Sequence, residues 1–168
     1  MAELTPAERL QPCLLDRLTD DEPGSVKEGR EQRIVSLRRY REAVLRDLDW
    51  LLNTSAHPAS DGLDEFTEVV GSVLNFGIPD FTGLTASGLK PEEFERRLAE
   101  AVRRFEPRIL PQTVSIRVVS TYGRMDHNAI SFEIQGELWA QPMPDPLYVR
   151  TEVDLETGQC EVKDRPYG

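Results

Sequence analysis

The chain is poor in the residues that carry most redox and metal chemistry: two cysteines and two histidines in 168 residues. Cys13 and Cys160 lie at opposite ends with no CxxC spacing, so they read as reduced structural thiols, and a disulfide or thiolate metal site is set aside. His57 sits in a polar linker and His127 in the turn "GRMDHN", neither beside a ligand partner. No HExxH, GxSxG, P-loop or GxGxxG pattern occurs, which removes the commonest metal, nucleophile and nucleotide sites, so no cofactor and no small-molecule substrate are expected. No apolar run approaches the ~20 residues that cross a bilayer. The opening Met1-Ala2-Glu3-Leu4 lacks the basic-then-apolar order of a signal peptide, so a cytoplasmic protein without membrane insertion is expected. Positive charge is also in deficit. With 20 Lys and Arg against 30 Asp and Glu the net charge is −10, which argues against nucleic acid, because neutralising phosphates takes clustered bases.

What is present suits one globular domain and a tail. Residues 1–31 hold eight acids against four bases, net −4, interrupted by Pro6, Pro12 and Pro23, and read as a flexible acidic arm. Within it Leu10, Leu14, Leu15 and Leu18 fall on one helical face. Such a short stripe needs a surface to lie on. Its own domain and a partner fit equally well.

Residues 32–168 read as a single α+β domain. From Gln32 to Leu52, apolar residues at Ile34, Leu37, Val44, Leu48 and Leu51 predict a long amphipathic helix, with Arg33, Arg38, Arg39, Arg41 and Arg46 on its other face. That face reads as solvated, or as a seat for acidic groups of a partner or of Asp20-Asp21-Glu22. A second helix is predicted from Asp64 to Leu74, burying Phe66, Val69, Val70 and Val73, and closed by Gly77 and Pro79 in "NFGIPD". A third fits "KPEEFERRLAEAVRRF", with Pro91 in the first turn and Phe94, Leu98, Ala101, Val102 and Phe105 as its buried stripe. Alternation at Val114 to Val118, Ile130 to Leu138, Leu147 to Leu155 and Cys160 to Val162 predicts about four strands. Helices first and strands after imply N-terminal helices packed on a C-terminal antiparallel β-meander. Trp50 and Trp139 read as core or interface packing.

Between the last helix and the first strand stands Glu106-Pro107-Arg108. Pro107 forces Glu106 out of helical geometry. Arg108 offers a planar, permanently charged fork that Glu106 can hold. Chemistry alone favours an internal ion pair fixing helix to strand over an arginine presented to a neighbour. Asp61 with Asp64 or Asp80 invites a glycosidase reading, but 30 acids supply chance pairs, and such catalysis needs a geometry that no spacing here specifies.

The stretches "CLLDRLTDDEP", "LRRYREAVLRDLDWLLNT", "SVLNFGIPDFTGL", "FEPRI" and "RTEVDLETGQCEV" resemble, in order and over most of the chain, the TssE family of type VI secretion baseplate wedge subunits. Phe76 departs mildly from the tyrosine more usual there. The resemblance implies a structural, non-enzymatic baseplate component, cytoplasmic and near the inner membrane of a Gram-negative bacterium. It implies TssF, TssG and TssK as wedge partners and the sheath proteins TssB and TssC as recipients of a strand edge. It also implies that Glu106, Pro107 and Arg108 serve assembly, and that Leu14, Leu15, Asp16, Arg17 and Leu18 form a docking helix. On that view Arg108→Ala is expected to weaken assembly and leave the fold soluble. Two rival readings are a peptidoglycan hydrolase of lysozyme-like kind and an anti-adaptor-type protein-binding module.

Overall fold

A computed structural model describes residues 10, 12–19, 24, 35–57, 62–80, 90–120, 129–140 and 143–164. The order of elements is α1 (Leu14–Leu18), α2 (Leu37–Leu52), α3 (Thr67–Val70), α4 (Pro91–Phe105), then β1 (Ser115–Ser120), β2 (Ala129–Leu138), β3 (Asp145–Asp154) and β4 (Cys160–Asp164). The predicted α+β fold is the one observed. The four strands form an antiparallel meander in sequence order β1-β2-β3-β4.

Alternation along the strands creates one dry face. Ile116 pairs with Ile134 and Val118 with Phe132 across β1 and β2, while Phe132 meets Thr151 and Ile134 meets Val149 across β2 and β3. Ile130, Phe132, Ile134, Leu138, Leu147, Val149 and Val153 are all buried there. Each side chain of this size contributes roughly 1.5–3 kcal/mol on full burial, so this face is the main source of stability. The helices cover it, with α4 against β1 and α2 against β4. Phe94 of α4 meets Phe132 edge-on at 5.3 Å.

Helix α2 starts at Leu37 because Ser36 caps it, accepting the Arg39 N–H. Val35 and Ser36 are not helical, and the predicted start at Gln32 to Ile34 lies outside the described residues. Tyr40, Val44, Leu48, Leu51 and Leu52 turn inward. The basic face is largely neutralised by the domain itself. Arg41 bonds Asp164, Asp145 and the Pro146 carbonyl, tying α2 to β3 and β4, and Arg38 pairs with Glu42. Of the predicted acidic arm, only residues 10, 12–19 and 24 are described.

The predicted helix over 64–74 is not formed. The segment breaks into a tight turn at Leu63–Glu65, the four-residue α3, and a second tight turn at Val73–Asn75. Ser72 stops α3 from continuing, because its hydroxyl donates back to the Val69 carbonyl and accepts the Leu74 N–H. Phe66 and Val73, predicted to be buried, are 60% and 82% exposed, and Leu74 is exposed beside them. Gly77 does adopt a positive φ of 137°, but its role is a close approach. A Cβ there would lie 2.5 Å from the Thr54 carbonyl oxygen, where Ile78 N–H bonds Thr54 and Ala56 N–H bonds Ile78.

Candidate functional site

The joint is built by three local decisions. Proline at 107 ends α4, and Glu106 leaves the helix at φ −121° and ψ 76° while its N–H still reaches the Val102 carbonyl at 2.9 Å. The chain then turns and pairs with the end of β2: Leu110 N–H donates to the Glu137 carbonyl and Trp139 N–H to that of Arg108, each at 2.8 Å. Gly136 makes room for this crossing. It stands on the core face of β2, where a Cβ would come within 2.7 Å of the Ile109 Cγ2 atom. Fully buried Ile109 therefore lies over the glycine and fixes Arg108 next to it.

Glu106 is 3% exposed, and a carboxylate so buried must be paired. Arg108 supplies the partner. Its Nε donates to Glu106 Oε1 at 2.7 Å, its Nη2 reaches Glu106 Oε2, and its main-chain N–H adds a third bond at 3.1 Å. Nη2 also reaches Asp47 on α2. The guanidinium is only 17% exposed, so most of the fork is used inside the domain. Burial disfavours its charge, but the bonds and charges of Glu106 and Asp47 outweigh that and raise its pKa. Burial likewise pushes up the nearby Tyr40 phenol.

The network continues away from the joint. Arg46 Nε donates to Asp47 at 2.8 Å and its Nη1 to Asp16 of α1 at 2.6 Å. Burial works against the Arg46 charge, and the hydrogen bonds it donates to Asp16 and Asp47, with their negative charges, more than restore it. Cys13 Sγ–H donates to Asp16 at 2.9 Å. Burial raises the Asp16 carboxyl, but Cys13 and Arg46 together bring it below its ordinary value. Arg46 also stacks over Trp50, 5.1 Å from the ring centre.

A cavity of about 650 Å³ opens between α1 and the joint, lined by Leu10, Leu15, Trp50, Phe76, Phe105, Arg108 and Trp139 among others. The two residue groups singled out in the sequence, at 14–18 and 106–108, thus border one concavity. Within the first group the roles divide. Leu15 lines the cavity and Asp16 makes the ion pair, while Leu14 and Leu18 are 71% and 74% exposed and point their apolar surface away from the domain. Trp50 and Trp139, about half exposed, flank the opening. By sequence Arg46 belongs to a basic face, and nothing there points from Asp47 to Arg108, because the two are 61 positions apart.

The sheet margins are partly engaged. On β1 Val118 N–H donates to Glu95, and just before the strand the Val114 carbonyl accepts from Arg103, each at 2.8 Å. On β4, the Asn53 amide makes two bonds with Cys160, accepting its N–H at 2.9 Å and donating to its carbonyl at 3.1 Å. Of the carboxylates considered for hydrolysis, Asp80 is exposed, while Asp61 and the Asp64 side chain lie outside the described residues, as does His127. No helix among the described residues is long and apolar enough to cross a membrane.

No curated protein and no solved structure matches the chain. A family does: the model of baseplate wedge protein gp25 matches residues 38–143, running from α2 through the joint and past β2. The TssE wedge subunits, whose resemblance the motifs carry, fall in the same family. With well over half its length matched, and with the joint inside the matched region, the chain belongs to the family of baseplate wedge protein gp25.

Proposed function

We propose that the protein is a non-enzymatic adaptor of a type VI secretion baseplate. It works in the cytoplasm near the inner membrane, joins the wedge subunits TssF, TssG and TssK, and offers a strand edge to the sheath proteins TssB and TssC. The family supports a structural role in a contractile baseplate. The observation that carries the reading furthest is the concavity that α1 and the joint share, with Trp50 and Trp139 at its opening and Leu14 and Leu18 exposed on the outer side of α1. Clustered aromatic and aliphatic anchors around a partly dry recess are what a protein partner needs to gain affinity.

Arg108 serves this face by shaping it more than by reaching out, since both Glu106 oxygens already hold its fork. That same pairing speaks against Glu106 as a catalytic acid, because a general acid needs its proton free for the substrate. For the sheath, β4 is the favoured margin. Among the described residues Asn53 bonds the main chain of Cys160 there, and the two-residue alternation of an antiparallel edge turns the main-chain groups of Val162 and Asp164 to the same outer side, which suits strand addition.

Co-expression with the cognate TssF and TssG tests the reading. A stable complex is expected, and Leu14→Ser with Leu18→Ser should abolish it without changing the unfolding midpoint. Failure of the wild-type protein to co-purify with intact partners refutes the assignment.

A further inference from the structure

Five charged groups alternate in sign from α1 to the joint: Asp16, Arg46, Asp47, Arg108 and Glu106. Both ends matter to the proposed docking face, yet two of the five groups, Arg46 and Asp47, lie on α2, which belongs to neither end. We infer that Arg46 and Asp47 are positioning residues that hold α1 and Arg108 in one frame, so that a change at the joint alters how firmly α1 is seated. The purpose assigned to this coupling rests on the docking reading above. The coupling itself does not.

Helix α1 has little else to hold it. It is five residues long and none is buried, far short of the ~12–15 residues that make a helix marginally stable alone. Its polar anchor is Asp16 on Arg46, helped by Cys13, while Leu10 is pinned through the Val35 N–H at 3.1 Å. Arg46 is shared between Asp16 and Asp47, and Asp47 between Arg46 and Arg108. Each arginine's fork can serve two carboxylates only while both are in reach. Removing Arg108 leaves Asp47 with Arg46 as its sole cation in the run, and draws Arg46 away from Asp16. Removing the Asp47 charge leaves Asp16 as the carboxylate that holds Arg46 among the described residues, beside the Cys13 sulfur. The two changes therefore push α1 in opposite directions, whereas loss of a purely structural brace would loosen it in both.

Cys13 reports the seating of α1, since it is half-buried at the cavity wall and bonded to Asp16. Cys160 is the internal gauge of global opening. It is buried, and burial followed by the Asp49 charge pushes its thiol up to about 12, so it stays silent unless the domain unfolds. The experiment measures thiol labelling of the full chain with an aromatic disulfide reagent. Arg108→Ala should label Cys13 about two- to five-fold faster, the scale of a part-exposed ion pair, with Cys160 still silent. Asp47→Asn should label it no faster than wild type, and Asp16→Asn should set the fast limit. If Arg108→Ala does not fold, Arg108→Lys, whose point charge cannot serve both Glu106 and Asp47, carries the same expectation. Unchanged labelling in the Arg108 variant, or acceleration by Asp47→Asn, overturns the coupling. Labelling that follows the expectation while wild-type protein captures neither TssF nor TssG leaves the coupling standing and removes the docking role.

Discussion

Replacing Arg108 by alanine is the perturbation on which the geometry speaks most directly. The family resemblance implies a soluble variant defective only in assembly, but the buried pair adds a cost to folding. Glu106 is 3% exposed and would keep only the main-chain N–H of residue 108 as a partner among the bonds Arg108 now supplies. Breaking a buried ion pair from one side costs ~3–5 kcal/mol. Arg108 and Asp47 retain 17% and 24% side-chain exposure, so solvent recovers part of the loss and the lower end, about 3 kcal/mol, is expected. With a urea slope of ~2 kcal/mol per molar, the midpoint should fall by about 1.5 M. Tryptophan fluorescence can follow the transition, since Trp50 and Trp139 flank the site. The control is Glu106→Gln with Arg108→Met, which removes both charges. It should regain more than half of the loss, because an uncompensated buried charge, and not the missing contact, is the larger part of the penalty. A midpoint shift below about 0.3 M in the single variant, on the same slope, would refute the claim that this pair is buried and indispensable. A double variant as damaged as the single one would refute the reasoning about uncompensated charge.

Three further outcomes are expected. Gly77→Ala forces a side chain into a positive φ and against the Thr54 carbonyl, and should cost about 3 kcal/mol or more, visible as a melting temperature lower by roughly 6–12 °C. Thr151 Oγ1 is buried on the core face with no partner among the described residues, so Thr151→Val should be neutral or stabilising by up to ~1 kcal/mol in a urea titration. A clear loss would reveal a hidden partner. Asp16 has a lowered pKa in the folded state, so its contribution is fully present above the ordinary aspartate value of ~3.9 and disappears as pH falls through the lower folded value. The difference in Trp50 fluorescence between wild type and Asp16→Asn should therefore persist at neutral pH and vanish on acidification below that range.

Periodicity determined much of the architecture without help. Long repeats such as those of α2 and α4, and the period-two strands, bury a whole face only in one conformation, so pattern and structure coincide there. Pro107 likewise ended α4 from its own ring geometry, and Glu106 paired with Arg108 as their proximity suggested. Tertiary structure decided what such local rules leave open. The segment around Phe66 and Val73 has helical spacing, but the described residues offer no surface that buries it, and Ser72 bonds its neighbouring backbone instead, so turns and an exposed apolar strip stand where a helix was predicted. The meeting of α1 with the joint was equally invisible. Asp47 joins Arg108, and Arg46 joins Asp16, across separations at which sequence spacing carries no distance, because only the packing of α2 between them sets which charges come within reach.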